Sequence, residues 1–193
     1  MARNSNKEII TYDAPWTVYS MSWCRGREDY CSTGFRMAIG SFREEYSNQV
    51  QVIQLRDNEN SEHDSDVASM NESKAMKRNE SSEEVSSSFQ PICQFDHPYP
   101  PTKICWAPAN NASSVSTDLL ASSGDYLRLW GIDKDNNAEL KRLFNSTKDT
   151  DYCAPITSFD WNEVDASIIG AVSMDTTCTI WDINVPFFVL IIV

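Results

Sequence analysis

The residue best suited to acid–base chemistry in this sequence is His97, which directly follows Asp96. An imidazole beside a carboxylate can act as a general base when a third, positioned group supplies the nucleophile. No serine or cysteine nucleophile motif lies near this pair, and residues 98–101 are rich in proline and indicate a turn. The other histidine, His63, lies in a polar stretch. We therefore expect no catalytic residue and a structural role for His97.

The six cysteines are spread along the chain without a C-x-x-C pair. Zinc sites usually draw on closely spaced Cys and His ligands, so this spacing argues against one. Residues 1–6 are polar and lack the apolar run of a secretory signal, which predicts a nuclear and cytoplasmic location where thiols stay reduced. We expect no metal and no cofactor, with the cysteines serving as strand or core fillers.

The charge balance argues against direct contact with nucleic acid. The 193 residues carry a net charge of -12, from 28 acidic and 16 basic side chains, and they contain no run of Lys or Arg. A phosphate backbone would be repelled by this field. Residues 185–193 are apolar but far shorter than the roughly 20 residues that span a bilayer. We expect protein partners, and neither nucleic acid, a membrane nor a small-molecule substrate.

Internal repetition is the main structural signal. Three short stretches ending at Trp23, Trp106 and Trp161 have apolar residues at every second position, which is typical of a half-buried strand. Each is followed by a second apolar stretch, a tight turn and a third strand, which predicts a four-stranded antiparallel meander. The first strands are predicted at 19–23, 102–106 and 157–161, the second at 35–42, 118–125 and 167–175, the third at 49–55, 126–132 and 176–183, and the fourth at 91–95 and 140–145.

The predicted fold is all-β: a partial β-propeller of about three four-stranded antiparallel blades, the last incomplete. No long stretch has the apolar spacing of a helix. The predicted parts are an N-terminal arm at 1–15, which would close the propeller in a full-length protein, blade 1 at 16–98, blade 2 at 99–146, an incomplete blade 3 at 147–184 and an atypical apolar tail at 185–193. Five tryptophans are expected in the packing between blades, namely Trp23, Trp106, Trp130, Trp161 and Trp181.

A low-complexity insert at 56–88 interrupts blade 1. It is rich in Ser, Glu, Asp and Asn and has almost no large apolar side chains. Such a segment cannot bury enough apolar surface to offset the entropy of ordering it. We expect a disordered acidic loop.

Two turns combine an aspartate with a downstream tryptophan. A turn aspartate can accept hydrogen bonds from backbone N–H groups, and a tryptophan on the third strand fills the space between stacked sheets. His97 lies 33 residues before Trp130 and could donate a hydrogen bond to the carboxylate of Asp125. The predicted structural network comprises His97, Ser122 or Ser123, Asp125 and Trp130 in blade 2, and Ser173, Asp175, Trp181 and Asp182 in blade 3.

The S-x-D turn followed by a strand that closes on W-D resembles the WD repeat. The resemblance covers residues 8–183 apart from the insert, and it implies a seven-bladed WD40-type scaffold. Longer segments are similar to the Transparent Testa Glabra and anthocyanin-regulating WD-repeat proteins and their animal counterparts. These segments are YDAPW at 12–16, GSF with EEY at 40–46, FDHPYPP at 95–101, DLLASSGD at 118–125 and APITSFDWN at 154–162.

The resemblance implies a non-catalytic scaffold that assembles MYB and basic helix-loop-helix transcription factors. One alternative is an adaptor for a kinase or a ubiquitin-ligase component, although 130–133 and 181–184 lack the arginine of the adaptor motif W-D-x-R. Another is a truncated product without independent function, since the family continues where this chain stops. The loops are expected to bind partners, and the acidic candidates for a basic partner segment are Glu44, Glu45, Asp149 and Asp151.

Overall fold

A computed structural model describes residues 9–24, 35–45, 47–57, 87–108, 118–144, 154–185 and 189–192. These ranges contain strands and no helix, so they hold no helix that could cross a membrane, and the predicted all-β class is confirmed. The strands are β1 Thr17–Trp23, β2 Arg36–Phe42, β3 Asn48–Asp57, β4 Ser87–His97, β5 Lys103–Trp106, β6 Asp118–Ser123, β7 Leu127–Ile132, β8 Ala138–Phe144, β9 Ile156–Trp161, β10 Ile168–Ser173, β11 Cys178–Asp182 and β12 Val189–Ile192.

The strands form three four-stranded antiparallel sheets, which we call blades 1 to 3. Blade 1 contains β1 to β4, blade 2 contains β5 to β8 and blade 3 contains β9 to β12, and strands that follow each other in the chain pair in each sheet. This is the predicted meander, repeated three times. Because successive side chains of a strand point to opposite faces, each blade has one face toward the preceding blade and one toward the following blade.

The blades stack face to face, and apolar side chains fill the space between them. The first strands also lie near one another, since β1 contacts β5 and β5 contacts β9. The layer between blades 1 and 2 contains Ala38, Val50, Val52, Cys93, Ile104, Trp106, Leu120, Trp130 and Ile132. The layer between blades 2 and 3 contains Ala121, Leu127, Leu129, Phe144, Ile156, Phe159, Trp161, Ile169, Ala171 and Trp181.

Tryptophans face the preceding blade in the two stacked layers. Trp106 and Trp161 do so from the ends of β5 and β9, and Trp130 and Trp181 do so from the third strands. Trp23 holds the same place on β1 but is 45% exposed, because no described blade stacks on that side. The predicted packing between blades is therefore found for four tryptophans and is wrong for Trp23.

Gly40 permits the close approach of blades 1 and 2. A Cβ atom at this position would lie 2.3 Å from Cγ of Pro101 and 2.9 Å from Cδ1 of Ile104, both in blade 2 or its entry loop. It would also lie 2.6 Å from Oγ of Ser20. A side chain at position 40 would therefore push the first strand of blade 2 away from blade 1.

Polar contacts also tie neighbouring blades together. The buried Arg36 of β2 forms an ion pair of 2.5 Å with Asp118 of β6, and its guanidinium lies 5.0 Å from the ring centre of Trp106. Breaking such a buried pair is costly, because the remaining charge stays out of water. Arg142 of β8 donates to the backbone oxygen of Ile183, at 3.0 Å, in the turn that ends β11.

Part of the N-terminal arm covers the first face of blade 1. Trp16 is buried against Ile39 and Ile53, and the hydroxyl group of Tyr12 donates to Oε1 of Gln51 at 2.6 Å. The arm therefore shields the outer half of this face, while β1 remains exposed at the inner half.

Two parts of the chain depart from the predicted boundaries. Blade 3, predicted to be incomplete, has a fourth strand, because β12 in the apolar tail pairs with β11 and satisfies its backbone edge. At the insert, β3 continues to Asp57 and β4 begins at Ser87, so residues 56–57 and 87–88 are strand rather than loop. The predicted disorder of 58–86 lies outside the described residues.

Candidate protein-binding site

The turns that join the second and third strands of each blade lie at one edge of the blades. The loops that lead into the first strands lie at the same edge. We call it the turn edge. The entry to β9 lies against the turn of blade 2, where the N–H of Ile156 donates to the oxygen of Gly124 at 2.8 Å. The turn of blade 3 lies against Pro155, whose oxygen accepts from the N–H of Met174 at 3.0 Å. The described residues of the turn edge are 43–45, 47, 98–102, 124–126, 154–155 and 174–177.

A buried hydrogen-bond chain supports the turn edge between blades 1 and 2. Nε1 of Trp130 donates to Oγ of Ser122 at 2.8 Å, and Ser122 Oγ lies 3.1 Å from Nε2 of His97. Nδ1 of His97 lies 2.5 Å from the oxygen of Tyr99, which can only accept. Nδ1 must therefore carry the proton, and Nε2 accepts from the serine hydroxyl. These hydrogen bonds fix the entry loop of blade 2 to strands β6 and β7.

Burial keeps His97 neutral. Its side chain is 1% exposed, and burial lowers the pKa of the imidazole from 6.5 to about 4. The hydrogen bond to the backbone of Tyr99 opposes this shift in pKa, the charge of Arg128 adds to it and the charge of Asp125 opposes it. A neutral imidazole suits the hydrogen-bond chain, because Nε2 must accept.

The structure places Ser122, one of the two predicted serines, in this network, and it gives the aspartate a partner other than the predicted histidine. Ser122 contacts both His97 and Trp130, whereas Ser123 lies 2.8 Å from the hydroxyl of Thr102. Strand alternation explains the choice, since Ser122 shares the face of Leu120 toward blade 1 and Ser123 shares the face of Ala121 toward blade 3. Alternation along β6 was the signal that could have selected Ser122 from the sequence.

Asp125 bonds an arginine rather than the histidine. Its two carboxylate oxygens accept from Nη1 and Nη2 of Arg128, at 2.5 and 3.0 Å. The guanidinium of Arg128 also lies 5.7 Å from the ring centre of Tyr126. Sequence reasoning missed Arg128, which lies three residues after the turn aspartate on the neighbouring strand.

In blade 3 the turn aspartate acts within its own turn. Asp175 accepts from the hydroxyl of Ser173, from the hydroxyl of Thr177 at 2.7 Å and from the N–H of Thr177 at 3.1 Å. The bonds from the side chains of Ser173 and Thr177 lower the pKa of this exposed carboxyl group. Trp181 packs against Phe144 of blade 2, with ring centres 5.5 Å apart.

Asp182 ends β11 in a second local turn. Its carboxylate accepts from the N–H of Asn184 at 2.8 Å, so it holds the chain where it leaves the strand. The guanidinium of Arg142 reaches this turn from blade 2 and also donates to the oxygen of Val185 at 2.9 Å. The aspartate of the W-D pair therefore shapes a turn rather than a binding pocket.

The adjacent Asp96 and His97 do not come together in the structure. Asp96 and His97 point to opposite faces of β4, with Asp96 exposed beside Gln49 and His97 buried. They do not form a dyad. No group of three or more His, Cys, Asp or Glu side chains in these ranges could hold a metal ion.

The exposed side chains of the turn edge include acidic, aromatic and flexible apolar groups. Glu44 and Glu45 are exposed in the β2–β3 turn, and Asp175 is exposed in the turn of blade 3. Tyr99 and Met174 are among the exposed large apolar residues. Asp149 and Asp151, also predicted as partner-binding residues, lie outside the described residues. The described part of the edge therefore presents charged, aromatic and apolar side chains that a partner protein could contact.

Stacked four-stranded blades with turn-based networks are typical of β-propeller proteins. No family model matches the chain. It is 41% identical over 179 residues to the DDB1- and CUL4-associated factor 7 homolog of Dictyostelium discoideum, with 92% of this chain and 45% of that protein covered. It is 32% identical over 185 residues to a WD repeat-containing protein of Schizosaccharomyces pombe, and the match covers 93% of this chain and 36% of that protein.

A WD repeat-containing protein of Saccharomyces cerevisiae is 24% identical over 202 residues, with 96% of this chain and 31% of that protein covered. Among solved structures, the C-terminal WD40 domain of Sif2 matches with a TM-score of 0.47 and 15% sequence identity. The match covers 86% of this chain and 34% of the Sif2 chain. Over the matched residues the chain is thus similar to WD-repeat proteins. It spans less than half the length of each of the three relatives.

Proposed function

We propose that this chain is a non-catalytic scaffold that binds protein partners through its turn edge. The proposal rests on the contrast between buried and exposed side chains at that edge. The one histidine and the tryptophan of the blade 2 network are buried in structural bonds, whereas Glu44, Glu45 and Met174 face solvent. Loops held by a rigid scaffold are common binding surfaces. Exposed carboxylates suit a basic partner segment.

The partner that we propose first is a component of the DDB1–CUL4 ubiquitin ligase. This choice rests on the name of the Dictyostelium relative, which describes a DDB1- and CUL4-associated factor. The absence of a W-D-x-R arginine at 133 and 184 argues against this contact running through that motif, so we place it at the turn edge. Such a role predicts a location in the nucleus and cytoplasm.

Assembly of MYB and basic helix-loop-helix factors, suggested by the resemblance to the anthocyanin-regulating proteins, remains a hypothesis. None of the three relatives described above is named for such factors. Recruitment of a kinase is likewise a hypothesis. These alternatives differ in partner but share the turn edge as the binding surface.

A binding assay with purified DDB1, a MYB and helix-loop-helix pair and a kinase separates these partners. We expect DDB1 to bind, and the double variant Glu44→Lys with Glu45→Lys to raise its dissociation constant about tenfold, the scale of a surface charge effect. The matched control is Glu139→Lys with Glu163→Lys, which makes the same charge change at exposed sites away from the turn edge.

Each outcome bears on a different part of the proposal. Binding of the transcription factors instead of DDB1 would keep the scaffold function and replace the partner. Equal loss of binding in the control would overturn the turn edge as the surface. Binding of none of the three classes of partner would overturn the scaffold function.

A further inference from the structure

Exposed aromatic side chains mark the boundary between blades 1 and 2 at the turn edge. Phe42, the last residue of β2, is 42% exposed, and Tyr99, in the entry loop of blade 2, is 40% exposed. The ring of Tyr19 packs on Phe42, with the two ring centres 5.2 Å apart. Apolar groups that are exposed together at one place mark an interaction surface, whereas scattered ones do not.

Phe42 and Tyr99 both lie beside a contact between the two blades. A Cβ atom at Gly40 would lie 2.3 Å from Cγ of Pro101, so these positions touch. Phe42 lies two residues after Gly40 on the same strand, so its side chain shares the face toward blade 2. Tyr99 lies two residues before Pro101. The face that carries Phe42 already has its neighbouring blade, so the exposure of this ring does not depend on any further blade.

The β2–β3 turn holds two carboxylates next to Phe42. Glu44 and Glu45 are exposed and follow Phe42 by two and three residues. The fully buried side chain of Asn48 fixes this turn, since its Nδ2 donates to the backbone oxygens of Arg43 and Glu45 at 3.1 and 2.9 Å. Its Oδ1 accepts from the N–H of Arg43 at 2.8 Å. The carboxylates thus extend from a backbone that is ordered before a partner binds, which lowers the entropic cost of binding.

The entry loop on the other side of the boundary is fixed as well. The backbone oxygen of Tyr99 bonds Nδ1 of His97 at 2.5 Å, and Pro101 is fully buried. Pro98 and Pro100 flank Tyr99, and each proline ring fixes its own φ. Tyr99 is therefore presented by a rigid loop, as Glu44 and Glu45 are by a rigid turn.

The charges of the turn edge favour a basic partner segment. Its described residues include one basic side chain, Arg43, and four acidic ones, Glu44, Glu45, Asp125 and Asp175. A cationic segment is attracted to such an edge, and an acidic segment is repelled.

The aromatic rings favour arginine over lysine in that segment. A guanidinium is planar and weakly hydrated, so it stacks on an aromatic face and at the same time donates to a carboxylate. An ammonium group is a strongly hydrated point charge that stacks less well. The chain contains the stacked contact internally, where the guanidinium groups of Arg36 and Arg142 lie 5.0 and 4.8 Å from the ring centres of Trp106 and Phe144.

We propose that an arginine side chain of the partner protein stacks on the ring of Phe42, beside Tyr99, and pairs with the carboxylates of Glu44 and Glu45. This rests on the proposed function, which places the partner at the turn edge. It adds the residue type that the edge selects in the partner and the ring that selects it.

Fluorescently labelled hexa-arginine and hexalysine peptides test the proposal, because they carry equal charge and differ in their ability to stack. Fluorescence anisotropy with the full chain measures the two dissociation constants. We expect the constant for hexa-arginine to be about fivefold lower, the scale of one exposed cation–π contact. Phe42→Leu keeps an apolar side chain without a ring, so it should bring the two constants together. Tyr99→Leu should reduce their ratio in part.

Two further variants separate stacking from charge. Phe35→Leu is the matched control for the ring, because Phe35 is 51% exposed and lies just before β2, at the end away from the turn edge. It should leave the ratio of the two constants unchanged. Glu44→Gln with Glu45→Gln should weaken the binding of both peptides, because both are cations. Thermal unfolding checks that each variant keeps the fold.

Three results would overturn the proposal. The first is an equal dissociation constant for the two peptides with the unmodified chain. The second is an unchanged ratio in Phe42→Leu, and the third is an equal fall of the ratio in Phe35→Leu. All three leave the scaffold function standing, because the assay with whole partner proteins tests that function separately. Failure of the scaffold function would instead appear there as a lack of binding by all three classes of partner.

Discussion

In blade 2 the turn aspartate Asp125 is bound to the buried guanidinium of Arg128, and the neighbouring histidine bonds a serine. In blade 3 the turn aspartate Asp175 bonds only the serine and the threonine of its own turn, and it is exposed. The turn of blade 2 therefore lies beside a buried network that joins blades 1 and 2, whereas the turn of blade 3 is held by local bonds. The blade 2 network depends on long-range packing, whereas the blade 3 turn depends on neighbouring residues.

This difference has a physical origin in the loop that precedes each blade. The entry to blade 2 brings His97 into the buried space between blades, where the hydroxyl of Ser122 accepts from Trp130 and needs an acceptor for its own proton. The entry to blade 3 carries no histidine, so the polar groups of its turn bond one another. Buried polar groups without partners are costly, whereas exposed ones are not. We therefore expect changes in blade 2 to cost more than matched changes in blade 3.

The largest expected effect is a loss of stability in acid that originates in His97. Its pKa is about 4 in the fold and about 6.5 when unfolded, so the unfolded chain takes up a proton first as the pH falls. Stability should decrease below about pH 6.5, and the loss should level off below about pH 4 at roughly 3 kcal/mol. Urea unfolding at fixed protein concentration across this range measures it.

The matched variant for this test is His97→Gln, which cannot titrate. Its stability should be lower at pH 7 but should change less between pH 7 and pH 5. An equal slope in the two proteins would show that other groups cause the acid effect. The described residues of blade 3 include no histidine, so they contribute no histidine titration between pH 7 and pH 5.

Removal of the serine hydroxyl in each blade gives the next largest contrast. Ser122→Ala leaves the N–H of Trp130 and Nε2 of His97 buried without this partner, which should lower the free energy of unfolding by about 2 kcal/mol. Ser173→Ala should cost below about 1 kcal/mol, because its partner Asp175 is exposed to water. Denaturant unfolding compares the two, and equal losses would contradict the distinction between the blades.

Neutralisation of each turn aspartate should give a smaller contrast. Asp125→Asn leaves the charge of Arg128 without its ion-pair partner, and partial exposure of Asp125 reduces the cost to roughly 1–2 kcal/mol. Asp175→Asn keeps one acceptor oxygen in an exposed turn and should be nearly neutral in thermal unfolding. A greater loss for Asp175→Asn would reverse the comparison.

The smallest effect concerns the backbone of the blade 3 turn. Thr176 has a φ of 69°, a conformation that a β-branched residue adopts only at a cost. Thr176→Gly should therefore raise the stability by about 0.5 kcal/mol, since the relief of strain exceeds the added freedom of the unfolded chain. Thermal unfolding measures this, and a loss of stability would show that the threonine side chain outweighs the strain.

Much of the fold follows from the sequence because its signals are local. Alternation in segments such as Thr176–Trp181 predicts strands, and turn residues such as Gly124 and Asp175 separate them. The observed strands β6, β7 and β11 fall within the predicted ranges, with shorter ends. Strand β12 was not predicted, because its pairing with β11 depends on an available sheet edge rather than on a local pattern.

The candidate site was predicted less completely. His97 and Trp130 could be selected from their types and positions, but the partners of His97 and Asp125 depend on which face of β6 and β7 each side chain occupies. The exposure of Trp23 likewise depends on the neighbour that a face receives. Partner-binding residues have no sequence pattern of their own, and Glu44 and Glu45 remain candidates by exposure alone.

The sequence by itself determined that this protein is built from repeated antiparallel strands closed by aspartate turns and tryptophans. Those features arise from side chains a few residues apart. Only the tertiary structure decided that Ser122 joins the histidine, that Arg128 takes the aspartate and that Trp23 stays in solvent. The reason is that hydrogen bonds and burial between blades join residues far apart in the chain, whose meeting is set by how whole sheets stack.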